Sequence, residues 1–227
     1  MLFVDWLKYR LSHLLGERDI NYVFSRIYRT NSWSSSESRS GKGSEISYTG
    51  PLRDWLCEQI PLRQIKSIVD APCGDFHWIP LVLEQVDVDY VGIDIVSSLI
   101  QKNTQLYESP KVKFLSGDLR HAEIPPCDLL IVRDCLFHLS FDDIQKVLHN
   151  LDRAKYKYLL TTTHLVSDTH LNSDIRSGGF RLIDLFSPPF NFDSSLIVGR
   201  VLDCPDDASV QREMILVKKH DVPVHLL

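Results

Sequence analysis

The run Ser67-Ile68-Val69-Asp70-Ala71-Pro72-Cys73-Gly74-Asp75-Phe76-His77-Trp78 constrains the fold more than any other stretch of the chain. A short apolar segment with a β-branched core stops at Asp70. It breaks at Pro72-Cys73-Gly74 and passes into a second apolar stretch, Trp78 to Val86, long enough for a helix. Strand, tight turn and helix in that order aim backbone N–H groups and a helix N-terminus at a nucleotide-like ligand. Asp70 falls at the carboxyl end of the strand, where open α/β sheets bind their ligands.

The alternation continues downstream. Further strands are predicted at Tyr90–Ile95, Val112–Leu115, Asp128–Arg133 and Tyr158–Thr163, after a first one over Ile65–Asp70. Helices are predicted over Ser97–Tyr107 and Asp142–Leu151, the second entered through Leu139-Ser140-Phe141. Five strands alternating with helices imply α/β architecture: a Rossmann-like doubly wound sheet in three layers, αβα, with right-handed crossovers. Ser195–Leu202 and Arg212–Lys218, joined through Pro205-Asp206-Asp207, predict a C-terminal antiparallel pair. The sheet then has seven strands, five parallel plus that pair. Between the fifth strand and the pair, Ser167–Phe192 is polar, carries Gly178-Gly179 and Pro188-Pro189, and is too long for a plain connection.

Before the first strand, helices are predicted over Ile20–Tyr28 and from Gly50 to Ile60, with Pro51 in the first turn of the latter. Leu2, Phe3, Trp6, Leu7, Leu11, Leu14 and Leu15 recur at helix spacing, which predicts a helix packed on the domain in preference to a membrane-surface helix or a homodimer contact. Asn31 to Ser44 is rich in Ser and Gly, the composition of a flexible linker. Trp33, Arg39 and Lys42 are odd choices for a pure linker and leave an ordered loop over a cofactor open, but composition alone favours the linker.

Bulk properties exclude several classes. The chain has 227 residues, room for one α/β domain with a real core. Net charge is −5, which argues against a nucleic-acid contact surface. The odd count of five cysteines, without a C-x-x-C pair, fits a reducing, cytoplasmic compartment better than a disulfide framework. No window reaches the roughly 18 apolar residues of a membrane span, and the N-terminus lacks the pattern of a secretory signal. No Cys-rich cluster, H-E-x-x-H or EF-hand loop is present, so no metal is assigned. Asp134, His164 and Asp174 could meet at a divalent ion, but their spacing does not require it.

Polar residues stand at the predicted strand ends. Asp94 closes the second strand, 24 residues after Asp70, where a carboxylate can accept both ribose hydroxyls of an adenosine or simply start a turn. Gly117-Asp118-Leu119 follows the third strand. The fourth runs into Arg133-Asp134-Cys135-Leu136-Phe137-His138. Asp134 and His138 are four apart and would share one face of a helical turn. A carboxylate beside an imidazole makes a base tuned near neutrality. The rival reading makes Asp134 a helix cap and His138 a core residue. His164, after Thr161-Thr162-Thr163, is a second base. Asn172, Asp174, Arg176 and Arg181, on the long Gly-hinged segment, suit a hydroxyl-rich or anionic acceptor, or a plain solvated loop.

Residues 67–78 resemble the first motif of the class I S-adenosylmethionine-dependent methyltransferases, in which an acid closes the first strand and a Gly-rich turn passes under the methionine part of the cofactor. The family turn often has three glycines; here Pro72 and Phe76 stand near two of those places and only Gly74 remains. The missing glycines disfavour a pyrophosphate cofactor such as NAD. The strand-end acids agree with the family in order, and the runs Val69–Trp78, Arg133–Ser140 and Tyr158–Thr163 resemble one subgroup associated with glycan and polysaccharide assembly. That resemblance extends over nearly all of the chain beyond residue 25. It implies residues 1–60 as N-terminal helices and a cofactor-covering loop, and residues 61–227 as the methyltransferase domain of the same structural unit. It implies cofactor contacts from Trp33, Ser44, Asp70, Pro72, Gly74, Asp94, Ile95, Asp118, Leu119 and Arg133. It implies a base drawn from Asp134, His138 and His164, and acceptor contacts from Asp174 and Arg181. Arg133 would orient the acceptor or pair with Asp70. The implied reaction is O-methylation of a sugar, a glycan or another small hydroxylated acceptor. The rivals are N-methylation of protein or nucleic acid, and a regulator that binds S-adenosylmethionine without turnover.

Overall fold

The structure is a computed structural model and describes residues 19–226. The helix expected over residues 2–15, and the dimer contact it suggested, lie outside the described residues. Seven strands form one sheet: β1 (Ser67–Asp70), β2 (Asp89–Asp94), β3 (Val112–Ser116), β4 (Cys127–Val132), β5 (Tyr156–His164), β6 (Ile197–Leu202) and β7 (Arg212–Lys218). Their order is β3-β2-β1-β4-β5-β7-β6. β1 to β5 run parallel and β6 and β7 pair antiparallel, as the sequence predicted; β7 also pairs antiparallel with β5. The strand order reverses between β1 and β4, which opens a crevice beyond their carboxyl ends.

Alternate residues of each central strand feed two separate cores. Val69, Leu130, Leu159 and Ile215 face one; Ile68, Leu129, Leu160 and Leu216 face the other. Both faces are therefore covered, and the strands read as continuous apolar runs. Against the second core lie α2 (Gly50–Leu62), α3 (Pro80–Leu83) and α4 (Ser97–Tyr107). Against the first lie α1 (Ile20–Thr30), through Ile20, and α5 (Phe141–Arg153), which buries Ile144, Val147, Leu148 and Leu151. The long segment after β5 joins this layer with Ile183, Leu185, Phe190 and Phe192.

Local chemistry explains the ends of these elements. Asp19 caps α1 by accepting the Asn21 and Tyr22 amides, and Asn31, at φ 50°, closes its far end. Ser140 caps α5, Asp142 and Asp143 sit in its first turn and Arg153 in its last, each favourable with the helix dipole. Three differences from the expected boundaries have a visible local setting. α2 continues through Pro61, in its last turn, to Leu62. β1 starts at Ser67 rather than Ile65, because the Ile65 amide is spent capping α2 on the Ile60 carbonyl at 3.0 Å. The helix expected across Trp78–Val86 shrinks to the single turn Pro80–Leu83, its start fixed by Pro80. Among the described residues no helix is long and apolar enough to cross a membrane.

Candidate active site

Beyond the carboxyl ends of β1, β2 and β4 lies a cleft of about 360 Å³. Its floor comes from the turn after β1. Gly74 takes φ +55°, and a Cβ there would stand 2.2 Å from Ser40 Oγ, so this turn carries its one glycine where backbone and covering loop meet. The Gly74 amide donates to Asp94 Oδ2 at 3.1 Å and the Val96 amide to Asp94 Oδ1 at 2.9 Å. Burial raises the Asp94 carboxyl to about 6 against those two bonds. Burial likewise raises Asp70 to about 7, although it accepts from the Tyr90 hydroxyl at 2.9 Å and feels the Arg133 charge. Pro72, Ile95, Asp118 and Leu119 complete this wall. The Asp118 carboxylate is held by Arg120, whose Nη2 donates at 2.6 Å and whose Nη1 reaches Asp143 at 2.7 Å.

The Ser-rich segment is an ordered cover. Asp75 organises it, accepting from Ser38 Oγ at 2.9 Å, the Arg39 amide at 2.7 Å and Ser40 Oγ at 3.0 Å, while its own amide donates to Ser40 Oγ at 2.9 Å. Glu45 accepts from Ser35 Oγ, and Glu37 from the Ile46 amide, each at 2.7 Å. Ser35, Ser38 and Ser44 are buried. Trp33, Ser44, Arg39 and Lys42 line the cleft.

Past β4, four charges lock together at the base of the cover. Arg133 donates from Nε to Asp203 Oδ2 at 2.9 Å, and from Nη2 to Asp203 Oδ1 at 3.0 Å and the Gly43 carbonyl at 2.6 Å. Arg212 Nη1 lies 2.9 Å from Asp134 Oδ1, and Arg212 Nε donates to the Asp203 carbonyl at 2.9 Å. A Cβ on Gly43 would come within 2.6 Å of Asp134 Oδ2 and 2.7 Å of Arg212 Nη2, which leaves glycine there. Burial alone would raise the Asp134 carboxyl; the charges of Arg133 and Arg212 reverse this and hold it below the usual range.

This arrangement corrects the expected Asp134–His138 partnership. Asp134 takes φ 52°, ahead of the short 3₁₀ turn Leu136–His138, and its carboxylate turns to the arginines instead of the imidazole. Nor does it cap that turn, which has no side-chain cap. Arg133 makes its side-chain bonds to Asp203 and Gly43 rather than to Asp70. His138 pairs its Nδ1 with the Gly179 carbonyl at 2.7 Å and stacks on Trp33, ring centroids 5.3 Å apart at 29°. A carbonyl only accepts, so Nδ1 carries the proton and the Nε2 lone pair is left over. Burial holds this imidazole below the ordinary histidine range, although the Gly179 carbonyl and the Asp134 charge pull it back up.

Three expected residues do not line the cleft. His164 is buried beneath Phe137 and Phe180, and its Nδ1 accepts the Ile183 amide at 3.1 Å. Burial first, and the Arg212 charge second, push it down to about 4. Asp174 accepts the Phe141 amide at 2.7 Å, at the start of α5. Arg181 donates to the Leu139 carbonyl at 2.6 Å and covers the Phe141 ring. Asn172 likewise braces its own segment, donating to the carbonyls of Asp184 and Pro188 at 2.8 Å each. Sequence reasoning missed Asp75, Arg120, Asp203, Arg212 and Phe180. Asp75 and Arg120 lay next to motif residues and could have been suspected; Asp203, Arg212 and Phe180 carry no local signal.

Residues 68–155 match a family model described as a methyltransferase domain. Over that stretch the chain is similar to a methyltransferase domain. Solved structures share its fold. Human N-acetylserotonin methyltransferase, in complex with S-adenosylmethionine, is 12% identical over 73% of this chain and 51% of that one, with a TM-score of 0.54. An O-methyltransferase family protein from Burkholderia thailandensis is 15% identical over 75% and 56%, with a TM-score of 0.53. The magnesium protoporphyrin IX methyltransferase of Synechocystis, with S-adenosylhomocysteine bound, is 13% identical over 74% and 81%, with a TM-score of 0.53. The chain spans about half the length of the first of these. No curated protein matches the sequence.

Proposed function

We propose that the protein binds S-adenosylmethionine in this cleft and methylates a hydroxyl oxygen of a small acceptor, with a sugar or glycan hydroxyl as the acceptor class. The donor set fits the cofactor. Asp94 offers buried carboxylate lone pairs to ribose hydroxyls, and Ile95 and Leu119 give apolar faces to an adenine beside Asp118. Asp70, Pro72 and Gly74 underlie the amino-acid tail, and Trp33 and Ser44 cover it. Arg133 acts indirectly, by fastening the cover through Gly43. Bound S-adenosylmethionine supplies a methyl group on a sulfonium, a good leaving group, so the chain's task is mainly alignment and removal of one proton.

The observation that carries this reading is His138. Its Nδ1–H is donated to Gly179, its Nε2 has no hydrogen-bond partner among the described residues, and burial lowers its basicity, which favours the neutral imidazole. Nε2 takes the acceptor's proton as the new O–C bond forms and the S–C bond breaks. Asp134, held ionised by Arg133 and Arg212, stabilises the imidazolium that results. His164 and Arg181 support the packing of this wall, and Asp174 supports the start of α5.

The test is release of S-adenosylhomocysteine with a panel of sugar and phenol hydroxyl acceptors, comparing wild type with His138→Gln. The expected loss in kcat is about 10²–10⁴-fold, with S-adenosylhomocysteine affinity retained in calorimetry. Only the neutral imidazole accepts a proton, so the rate falls as pH drops through the His138 pKa. That limb is expected below about pH 6.5 and absent in the variant. Turnover that survives the substitution with its acid limb intact would move the base elsewhere.

A further inference from the structure

Five cations line the cleft, and three are already committed. Arg120 is bound to Asp118 and Asp143, Arg133 to Asp203, and Arg212 to Asp134. Arg39 and Lys42 are different: both line the cleft, both are exposed, and among the described residues neither side chain makes a hydrogen bond or ion pair. Their backbone is nonetheless fixed. The Arg39 amide is tied to Asp75 at 2.7 Å in the β1 turn, and the Gly43 carbonyl beyond Lys42 is tied to Arg133 at 2.6 Å. Gly41, at φ +95°, turns the chain between them against Trp33. A loop that bonds its serines and glutamates to the protein, yet leaves two cations over the cleft without partners, is arranged to receive an anion.

We propose that Arg39 and Lys42 form a clamp for the α-carboxylate of the cofactor's amino-acid tail, which rests on the reading of this cleft as the S-adenosylmethionine site. The tail is a zwitterion. Asp70 stands below it and suits its ammonium, while the floor supplies no uncommitted cation for its carboxylate. A carboxylate brought into the cleft without donors would be costly. The cover thus reads the tail, and the strand ends read the nucleoside. A ligand with the same nucleoside and sulfur but no amino-acid tail would fill the cleft without engaging the cover's charges.

The experiment compares S-adenosylhomocysteine with 5′-methylthioadenosine, which lacks the tail, by calorimetry on wild type and on the Arg39→Gln/Lys42→Gln variant, with thermal unfolding as the control for folding. We expect the variant to weaken S-adenosylhomocysteine about tenfold or more and to leave 5′-methylthioadenosine within about twofold. Added salt should weaken the first ligand more than the second in wild type only. Equal weakening of both ligands would make the loop a plain cover, and unchanged S-adenosylhomocysteine binding would reserve the cations for an acceptor anion; either result overturns the clamp. Wild-type protein that binds neither ligand would overturn the cofactor reading itself, and the clamp with it.

Discussion

On the cleft wall formed at the ends of β1 and β2, the carboxylates are set from within those two neighbouring strands and their turns, Asp70 by the Tyr90 hydroxyl. Asp94 is fixed by the Val96 amide two residues on and by the Gly74 amide of the adjacent strand's turn. The opposite wall is drawn from the whole chain. His138 is oriented by Gly179, Arg133 by Asp203 and Gly43, and Asp134 by Arg212. The first wall is therefore as stable as the sheet that carries it. The second depends on a few long-range polar contacts whose loss leaves charges buried without partners.

The contrast can be broken at three points of decreasing size. Arg133→Ala removes the partner of the fully buried Asp203 and the anchor of the Gly43 carbonyl. We expect a loss of about 4 kcal/mol in unfolding free energy by denaturant titration. A loss under about 1 kcal/mol would mean that Arg212 alone holds Asp203. Asp75→Ala strips the cover of its main acceptor but leaves the sheet intact. The expected cost is about 2 kcal/mol, seen as faster hydrogen exchange confined to the amides around Ser38–Ser40, with β1 and β4 still protected. Exchange that spreads into β1 would show that floor and cover open together. Phe180→Ser alters a ring that is 60% exposed. The expected change in stability is within about 0.5 kcal/mol, so a larger loss would assign Phe180 to the core around Phe137 and His164 rather than to the cleft.

The same division governs what could be read in advance. The strands were legible because burial on both faces leaves uninterrupted apolar runs, and the parallel order followed from their alternation with helices. Asp70, Asp94 and Asp118 were legible because the first two close their strands and the third follows its strand by two residues. The Ser-rich cover was misleading on composition, since serines that bridge half-buried carboxylates such as Asp75 and Glu45 look the same in sequence as serines of a solvated linker. The i, i+4 spacing of Asp134 and His138 misled for a related reason. Spacing predicts a shared face only if the backbone is helical, and Asp134 sits in the left-handed region instead.

The sequence by itself determined the seven strands and their connections and the acids at the strand ends, because those depend on side-chain periodicity and on residues adjacent in the chain. Only the tertiary structure decided which charges pair, which histidine faces the cleft and which cations stay uncommitted. Coulomb and hydrogen-bond energies depend on distance in space, and Arg133 finds Asp203 across 70 residues that carry no record of the contact.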